Sequence, residues 1–240
     1  MEFIFELFGV VLEAIFEAFF ENEKIPKWIR YGVLALLIGG LVALMVIALI
    51  AAGDWGLRIF LGILAAGFLA MMGYVIWKIF RFGIFQPSKK EDLTEILALY
   101  RSVIGRPGCT WSIAYPNEAT LHEDFRTGNL FVLRQRGRIV GAASIVPRNE
   151  LDDLDCWQHK ENAGEIARIV IHPDRQGRGY GKFLVDMLCH MLHKKGCKAV
   201  HLLVAKDNHH ALNLYRESGF HNVSACHRYD HDFYAYERKL

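Results

Sequence analysis

A glycine-rich turn between an apolar segment and an amphipathic segment is the part of the sequence best suited to chemistry. Residues 165–171 are mainly apolar and β-branched, which predicts a buried strand, and Pro173 ends it. Residues 176–181 (QGRGYG) follow and open a run of apolar residues at helical spacing. Glycines let the backbone approach a ligand, and a helix start offers unpaired N–H groups and the positive end of its dipole. The pattern therefore predicts an anion-binding site.

Two common phosphate-binding motifs are absent from this turn. No Gly-Lys-Ser/Thr follows the glycines, and their spacing does not fit GxGxxG. What remains is Q-x-x-G-x-G after a strand and a proline, which resembles the acetyl-CoA pyrophosphate loop of the GCN5-related N-acetyltransferase (GNAT) superfamily. A second block, 208–220 (NHHALNLYRESGF), resembles the N-x-x-A-x-x-L-Y-x-x-x-G-F signature of the same superfamily. The resemblance covers roughly residues 90–240, and a glycine-rich turn without a ligand is the alternative.

The resemblance implies how acetyl-CoA would be held. Backbone N–H groups of 176–181 would bind the pyrophosphate, with Arg175 or Arg178 adding charge. The strand before the turn would pair its free backbone groups with the pantetheine amides, and Asn208 would cap its helix and reach the same arm. The cofactor-binding residues implied in this way are Ile169, Val170, Ile171, Gln176, Gly177, Arg178, Gly179, Tyr180, Gly181 and Asn208.

Two residues are predicted to be catalytic. Tyr215, in the second block, would protonate the leaving CoA thiolate, because a tyrosine with an ordinary pKa of about 10 keeps its proton at neutral pH. Glu165 lies eleven residues before Gln176, the spacing found in histone-acetylating members of the superfamily, and would be the general base. The alternatives are a core aromatic for Tyr215 and a solvated strand-end glutamate for Glu165.

The predicted activity is transfer of an acetyl group from acetyl-CoA to an amine acceptor that the sequence does not identify. A non-catalytic acyl-CoA sensor or docking module is the alternative. A net charge of +2 gives no reason to expect a nucleic-acid partner. Five cysteines without a CxxC pair favour neither a disulfide framework nor a zinc site, so no metal is expected. The sequence predicts no particular oligomeric state.

The first third of the chain carries most of the excess apolar residues. Segments 31–53 and 59–77 contain no charged residue and are long enough to span a bilayer, and basic residues flank the outer ends of the pair. This predicts a membrane hairpin over 24–85, with both termini and the catalytic domain in the cytoplasm. Residues 1–23 are predicted to form an amphipathic helix with an acidic stripe, lying at the membrane interface or docked on a partner.

The remaining residues, 86–240, predict one α/β domain. Helices are expected over 92–104 and 117–125, a hairpin over 129–146, then a strand, a helix to about 195, a strand over 198–205, a helix over 208–218 and two closing strands. This order predicts a GNAT-like mixed, mainly antiparallel sheet with helices on both faces. The usual first strand is unplaced, with 111–115 or the residues after the 86–90 linker as candidates.

The acceptor side is predicted only by region. In similar folds, the acceptor is bound by the first helical pair and by the loop before the central strand, here about 100–126 and 147–163. The second region is acidic and could attract a cationic amine or simply be solvated; its carboxylates are Glu150, Asp152, Asp153 and Asp155. Trp111 and Trp157 are candidates for a pocket or for the core.

Overall fold

A computed structural model of the protein describes residues 53–146 and 154–240, Leu151, and the pairs 39–40, 42–43, 46–47 and 50–51. The chain divides into two units, Met1–Val75 and Ile76–Leu240. The predicted amphipathic helix over 1–23 lies outside the described residues. So do three of the four carboxylates of the acidic loop, Glu150, Asp152 and Asp153.

Helix α1, Trp55–Phe82, includes the second predicted membrane span. Many of its large apolar side chains are exposed, among them Trp55, Phe60 and Ile63. Within the residues that the structure describes, however, no helix combines the length and apolarity needed to cross a membrane. The predicted two-span hairpin is therefore not supported by the fold. Its first span, 31–53, lies largely outside the described residues.

The second unit contains the α/β elements that position the site. After α1 the chain forms β1 (Ile84–Pro87), α2 (Leu93–Arg101), α3 (Glu118–Arg126), β2 (Leu130–Gln135), β3 (Arg138–Val146), β4 (Ala163–Ile171), α4 (Tyr180–Lys194), β5 (Ala199–Ala205), α5 (His209–Glu217), β6 (His221–Arg228) and β7 (His231–Lys239). Short 3₁₀ turns, Lys90–Asp92 and Pro173–Arg175, precede α2 and the glycine-rich turn. The predicted order of helices and strands is confirmed.

One seven-stranded sheet carries the fold, in the order β1-β2-β3-β4-β5-β7-β6. All neighbouring strands are antiparallel except β4 and β5, which are parallel. The mixed, mainly antiparallel sheet predicted from the sequence is therefore confirmed. A parallel pair inside an antiparallel sheet requires a crossover, and α4 supplies it.

The first strand, which the sequence left unplaced, is β1. Gly83 turns the chain between α1 and β1 at φ +92°, and a Cβ there would lie 2.2 Å from the carbonyl oxygen of Arg134. Only glycine fits this close approach without a shift of the backbone. Both candidate positions for the strand are therefore wrong: residues 112–115 instead form a turn, in which the Ser112 and Tyr115 backbones bond to each other, and β1 comes before residue 88.

Helices cover both faces of the sheet and bury a core on each. On one face, Leu184, Leu188 and Leu192 of α4 pack with strand residues such as Ile166 and Val200. On the other face, residues of α2 and α3 pack on β2, β3 and β4; this core contains Ile96, Leu99, Tyr100, Leu121, Val132, Ala142 and Val170. The sheet is thus packed on both faces. The candidate site lies where β4 and β5 stop pairing with each other.

Candidate active site

The parallel strands β4 and β5 separate part-way along their length. They pair only at Ala163–Ala199, Gly164–Val200 and Glu165–His201. Beyond Glu165, β4 continues to pair with β3 alone, so its other edge keeps unpaired backbone groups. Between the two strands lies a cavity of about 720 Å³. This volume is within the usual range of pockets that bind small molecules and cofactors.

All three predicted strand residues, Ile169, Val170 and Ile171, line this cavity. They lie on the part of β4 that β5 does not pair with. Backbone N–H and C=O groups on such an edge can pair with amide groups of an extended ligand, as an added strand would. The geometry therefore suits the predicted pantetheine contact.

The glycine-rich turn closes one end of the cavity. Gly177 and Gly179 have φ of +68° and +86°, in the region that only glycine adopts readily, and Gly179 is the residue before α4. The side-chain amide of Gln176 donates to the Ile171 carbonyl at 3.0 Å and so ties the turn to β4. Gly181 packs against Leu214 of α5, where a Cβ would lie 3.1 Å from Leu214 Cδ2. The first N–H groups of α4 are left for a bound anion.

Two predicted turn residues, Arg178 and Tyr180, do not line the main cavity. The Tyr180 side chain is buried, and its hydroxyl lies 2.8 Å from the Arg81 carbonyl and 3.0 Å from Gln135 Oε1. Only the backbone of Tyr180 is therefore available to a ligand in the cavity. Arg178 is exposed and lines a second, smaller cavity beside the turn.

Asn208 caps α5 as the sequence predicts. Its Oδ1 accepts a hydrogen bond from the Ala211 N–H at 3.0 Å, and the residue lines the cavity. Gly108 packs against it so closely that a Cβ on Gly108 would lie 2.6 Å from the Asn208 Cα. This contact brings the 106–111 loop, including Cys109 and Trp111, into the cavity wall.

Tyr215 lies on α5 with 8% of its surface exposed and also lines the cavity. It packs edge-on against Phe220 and tilted against Tyr236. Burial raises its pKa above the ordinary value, and proximity to Cys189 raises it further. The hydroxyl therefore holds its proton at neutral pH, and it makes no side-chain hydrogen bond within the described residues. Such a hydroxyl can donate a proton to a group in the cavity.

Glu165 does not line the cavity. It is 7% exposed and lies at the last paired position of β4 and β5, opposite His201. The alternative of a solvated glutamate at a strand end is therefore wrong, because Glu165 is buried between its neighbouring strands β3 and β5. Ile166, the next residue, is the first of β4 to reach the cavity.

Glu165 of β4 is aligned with two further polar residues on the neighbouring strands β5 and β7. His201 of β5 pairs with Glu237 of β7, and their side chains meet at 3.0 Å between Nε2 and Oε2. The second carboxylate oxygen lies 2.7 Å from His159 Nδ1, and Trp157 stacks on the His201 ring at 4.0 Å. Trp157 is therefore a core residue. This row of polar residues was not predicted from the sequence, although a histidine inside the apolar strand 199–205 was an indication.

We expect Glu237→Gln to destabilise the protein most above about pH 5, where the wild-type carboxylate is charged. Burial alone would raise the pKa of Glu237, but hydrogen bonds from His159 and the adjacent His201 outweigh it and hold the pKa below its ordinary 4.5. A lowered pKa contributes stability that is present above the ordinary value and lost as the pH falls through the folded-state value.

Urea unfolding across pH 3 to 7 measures this effect. The difference in the free energy of unfolding between wild type and Glu237→Gln should become smaller as the pH falls below about 4.5. Asp155→Asn, at an exposed carboxylate paired with Lys160, is the matched control and should show a small effect throughout. A difference in the free energy of unfolding that does not change with pH would contradict a lowered pKa of Glu237.

A second buried network, also missed from the sequence, reaches the cavity wall through Arg168. Arg168 of β4 lines the cavity at a bulge, with φ +53°. Its Nε and Nη2 each donate to Asp124 of α3 at 2.7 Å, and Nη1 lies 3.1 Å from the Tyr115 hydroxyl. The Ser144 hydroxyl donates to the same carboxylate at 2.6 Å. A lone arginine inside the apolar strand was the indication in the sequence.

Trp111 completes this wall, packing edge-on against the buried Tyr100 at 5.3 Å. Of its two candidate locations, the structure thus places Trp111 in the cavity wall. Asp155 of the predicted acidic loop is exposed and paired with Lys160, and it does not line the cavity. In the part of the chain that the structure describes, no group of three or more metal-binding side chains occurs.

Comparison with known proteins decides the family. The model of the acetyltransferase (GNAT) family matches residues 91–220, more than half of the chain. The protein belongs to the GNAT acetyltransferase family. The matched region contains both signature blocks and every predicted site residue. Residues before 91 are outside the match.

Curated relatives of this family member match over shorter stretches. A mycothiol acetyltransferase of Rhodococcus jostii is 44% identical over 57 residues, which are 24% of this chain and 19% of that protein. A mycothiol acetyltransferase of Thermomonospora curvata is 31% identical over 98 residues, 40% of this chain and 29% of that protein. The chain thus spans less than a third of the length of these relatives.

Solved structures show the same fold. The ribosomal-protein-S18-alanine N-acetyltransferase of Escherichia coli aligns with a TM-score of 0.51 at 21% identity, covering 65% of this chain and 93% of its own. A Salmonella typhimurium protein solved with acetyl-CoA as its cofactor aligns with a TM-score of 0.53 at 17% identity, with the same two coverages. At these identities the likeness concerns the fold.

Proposed function

We propose that the protein transfers an acetyl group from acetyl-CoA to an amine. One observation carries the proposal: the unpaired edge of β4, the glycine-rich turn and the Tyr215 hydroxyl all open into one cavity. An anion site, an edge for amide pairing and a proton donor are the groups that a thioester of CoA requires. Membership of the GNAT family agrees with this use of the cavity.

In the proposed reaction, a neutral amine attacks the acetyl carbonyl carbon, and the carbon–sulfur bond breaks. Tyr215 gives its proton to the departing thiolate, which leaves as CoA. The attacking nitrogen, cationic after the attack, loses one proton to give the amide product, and Tyr215 regains a proton through water. Arg168 and Trp111 also line the cavity, and the amine would enter beside them. In this proposal the cavity wall would supply the acid and orient the acceptor.

The base is a separate proposal. Glu165 is buried beyond the end of the cavity, so a proton would reach it through an intervening water rather than directly. The proton would then leave Glu165 by way of the buried His201 and Glu237 and reach solvent at the partly exposed His159.

For Glu165→Gln we expect kcat to fall by about 10²-fold and the acid-side limb of the pH–rate profile to disappear. The exposed Glu161, on the same approach to β4, provides the control Glu161→Gln, which should keep the wild-type profile. A Glu165→Gln enzyme with normal turnover and an unchanged profile would remove Glu165 from the mechanism.

The acceptor is proposed only as an amine. The relatives are named for different acceptors, a mycothiol acetyltransferase and a ribosomal-protein alanine acetyltransferase. We therefore propose a test with a panel of an amino sugar, a cysteinyl amine, a peptide with N-terminal alanine, a lysine peptide and a polyamine. Thiol release from acetyl-CoA and a mass increase of the acceptor would support the proposal. If the protein binds acetyl-CoA but releases no thiol with any amine of the panel, the result would favour the non-catalytic sensor.

Attachment to a membrane, with the domain in the cytoplasm, stays a proposal from the sequence. The uncharged segments and the exposed apolar side chains of α1 support it, whereas the described helices do not include a spanning one. Alkaline carbonate extraction of expressing cells tests it. A full-length chain that remains in the pellet supports the anchor, and a chain released to the supernatant contradicts it.

A further inference from the structure

A second cavity adjoins the glycine-rich turn, and Tyr215 does not line it. It measures about 460 Å³, is open to solvent and is lined by Arg81, Gly177, Arg178 and Tyr180. Gly177 lines the main cavity as well, so the two cavities meet at this residue. A ligand held by the turn would therefore have its next group within reach of the second cavity.

Arg81 is fixed beside the turn by contacts at the end of α1. The Gln135 side-chain amide donates to the Arg81 carbonyl at 2.6 Å, and the Tyr180 hydroxyl lies 2.8 Å from the same oxygen. The next residue, Phe82, stacks on Phe183 at 4.8 Å and meets Tyr180 edge-on at 5.4 Å. The backbone of Arg81 is thus joined to the first turn of α4.

The charges around this cavity are unbalanced. Its side-chain lining contains two guanidinium groups and no carboxylate. Within the described residues, neither Arg81 nor Arg178 forms an ion pair, and the Arg81 guanidinium lies over the Trp77 and Phe82 rings at 5.5 and 5.3 Å. Two cations that share a cavity repel each other unless an anion lies between them. Guanidinium groups match the geometry of phosphate oxygens.

We propose that Arg81 and Arg178 form the binding site for the 3′-phosphate of CoA, which rests on the function proposed above. CoA carries this third phosphate on the ribose next to the pyrophosphate. With the pyrophosphate on the N–H groups at Gly177, the ribose phosphate falls beside the second cavity. The arginines bind it by charge-assisted hydrogen bonds.

The proposal makes residues before the family-matched region part of the cofactor site. Arg81 precedes residue 91, where the match to the family begins. The end of α1 therefore contributes to cofactor affinity directly, in addition to supporting the fold through β1. A ligand without the 3′-phosphate would not use this contribution.

The test compares CoA with 3′-dephospho-CoA by calorimetric titration of the full-length chain. Wild type is expected to bind CoA about tenfold more tightly than 3′-dephospho-CoA. This preference should fall to about threefold in Arg81→Gln and in Arg178→Gln, and to about one in the double variant. Arg126→Gln, which changes the same charge at an exposed ion pair on α3, should keep the wild-type preference.

The outcomes separate this proposal from the one it rests on. A wild type that binds both ligands equally, or an Arg81→Gln variant that keeps the tenfold preference, overturns the 3′-phosphate site and leaves acetyl transfer untouched. Equal weakening of both ligands also overturns it, because Arg81 would then act through the turn or the pyrophosphate. A wild type that binds neither ligand removes the proposed function and, with it, this site.

Discussion

Replacement of Tyr215 by Phe is expected to lower kcat by about 10²- to 10³-fold while the affinity for CoA stays close to that of wild type. The substitution removes one hydroxyl and keeps the ring, which packs against Phe220 and Tyr236. Because burial raises the pKa of Tyr215, the hydroxyl is protonated over the working pH range and can serve as the acid. Steady-state kinetics with a responsive amine, together with CoA titration, separates the two effects.

Tyr236→Phe is the matched control, since Tyr236 belongs to the same buried cluster and does not line the cavity. It should retain kcat near the wild-type value. A Tyr215→Phe enzyme with wild-type kcat would show that another group protonates the thiolate. Loss of CoA binding in the same variant would instead make Tyr215 a binding residue.

Replacement of Asp124 by Asn is expected to cost about 3 kcal/mol of stability, the effect of removing one partner from a buried ion pair. Asp124 and the side chain of Arg168 are both largely buried, and two hydrogen bonds of 2.7 Å join them. Without the carboxylate, Arg168 would be a buried charge at the β4 bulge. We also expect kcat/KM to fall, because that bulge is part of the cavity wall.

Urea unfolding at neutral pH measures the loss, with Glu123→Gln as control. Glu123 is the preceding residue on α3, and its exposed, solvent-screened pair with Arg126 should contribute little to stability. Adding Arg168→Met to Asp124→Asn should recover part of the lost stability, since it removes the uncompensated charge. Additive losses in the double variant would contradict a direct interaction between the two residues.

Local sequence could predict the turn, the cap and the position of Tyr215 in the cavity wall because each depends on residues close in the chain. Gly177 and Gly179 occupy backbone conformations that glycine favours, and Asn208 caps the helix that begins at the next residue. Tyr215 follows on that same helix, and its place in the cavity comes with the orientation of α5. Such features are encoded within about ten residues, so a motif suffices to locate them.

Features that depend on distant pairing were not predictable in the same way. Arg168 meets Asp124 across 44 residues, and the contact depends on a bulge that shifts the register between β3 and β4. The burial of Glu165 depends on strands that follow it in the chain. The first strand has only four residues and ends in proline, so its pairing with β2 and the close approach at Gly83 define it rather than its composition.

Amide hydrogen exchange of the full-length chain with and without CoA tests the central claim most directly, because it locates the cofactor without requiring the acceptor. We expect slower exchange on CoA binding at 169–181, where the β4 edge and the turn lie, and at the start of α5 near Asn208. Slower exchange confined to other segments, or no change at saturating CoA, would contradict a cofactor site between β4 and β5.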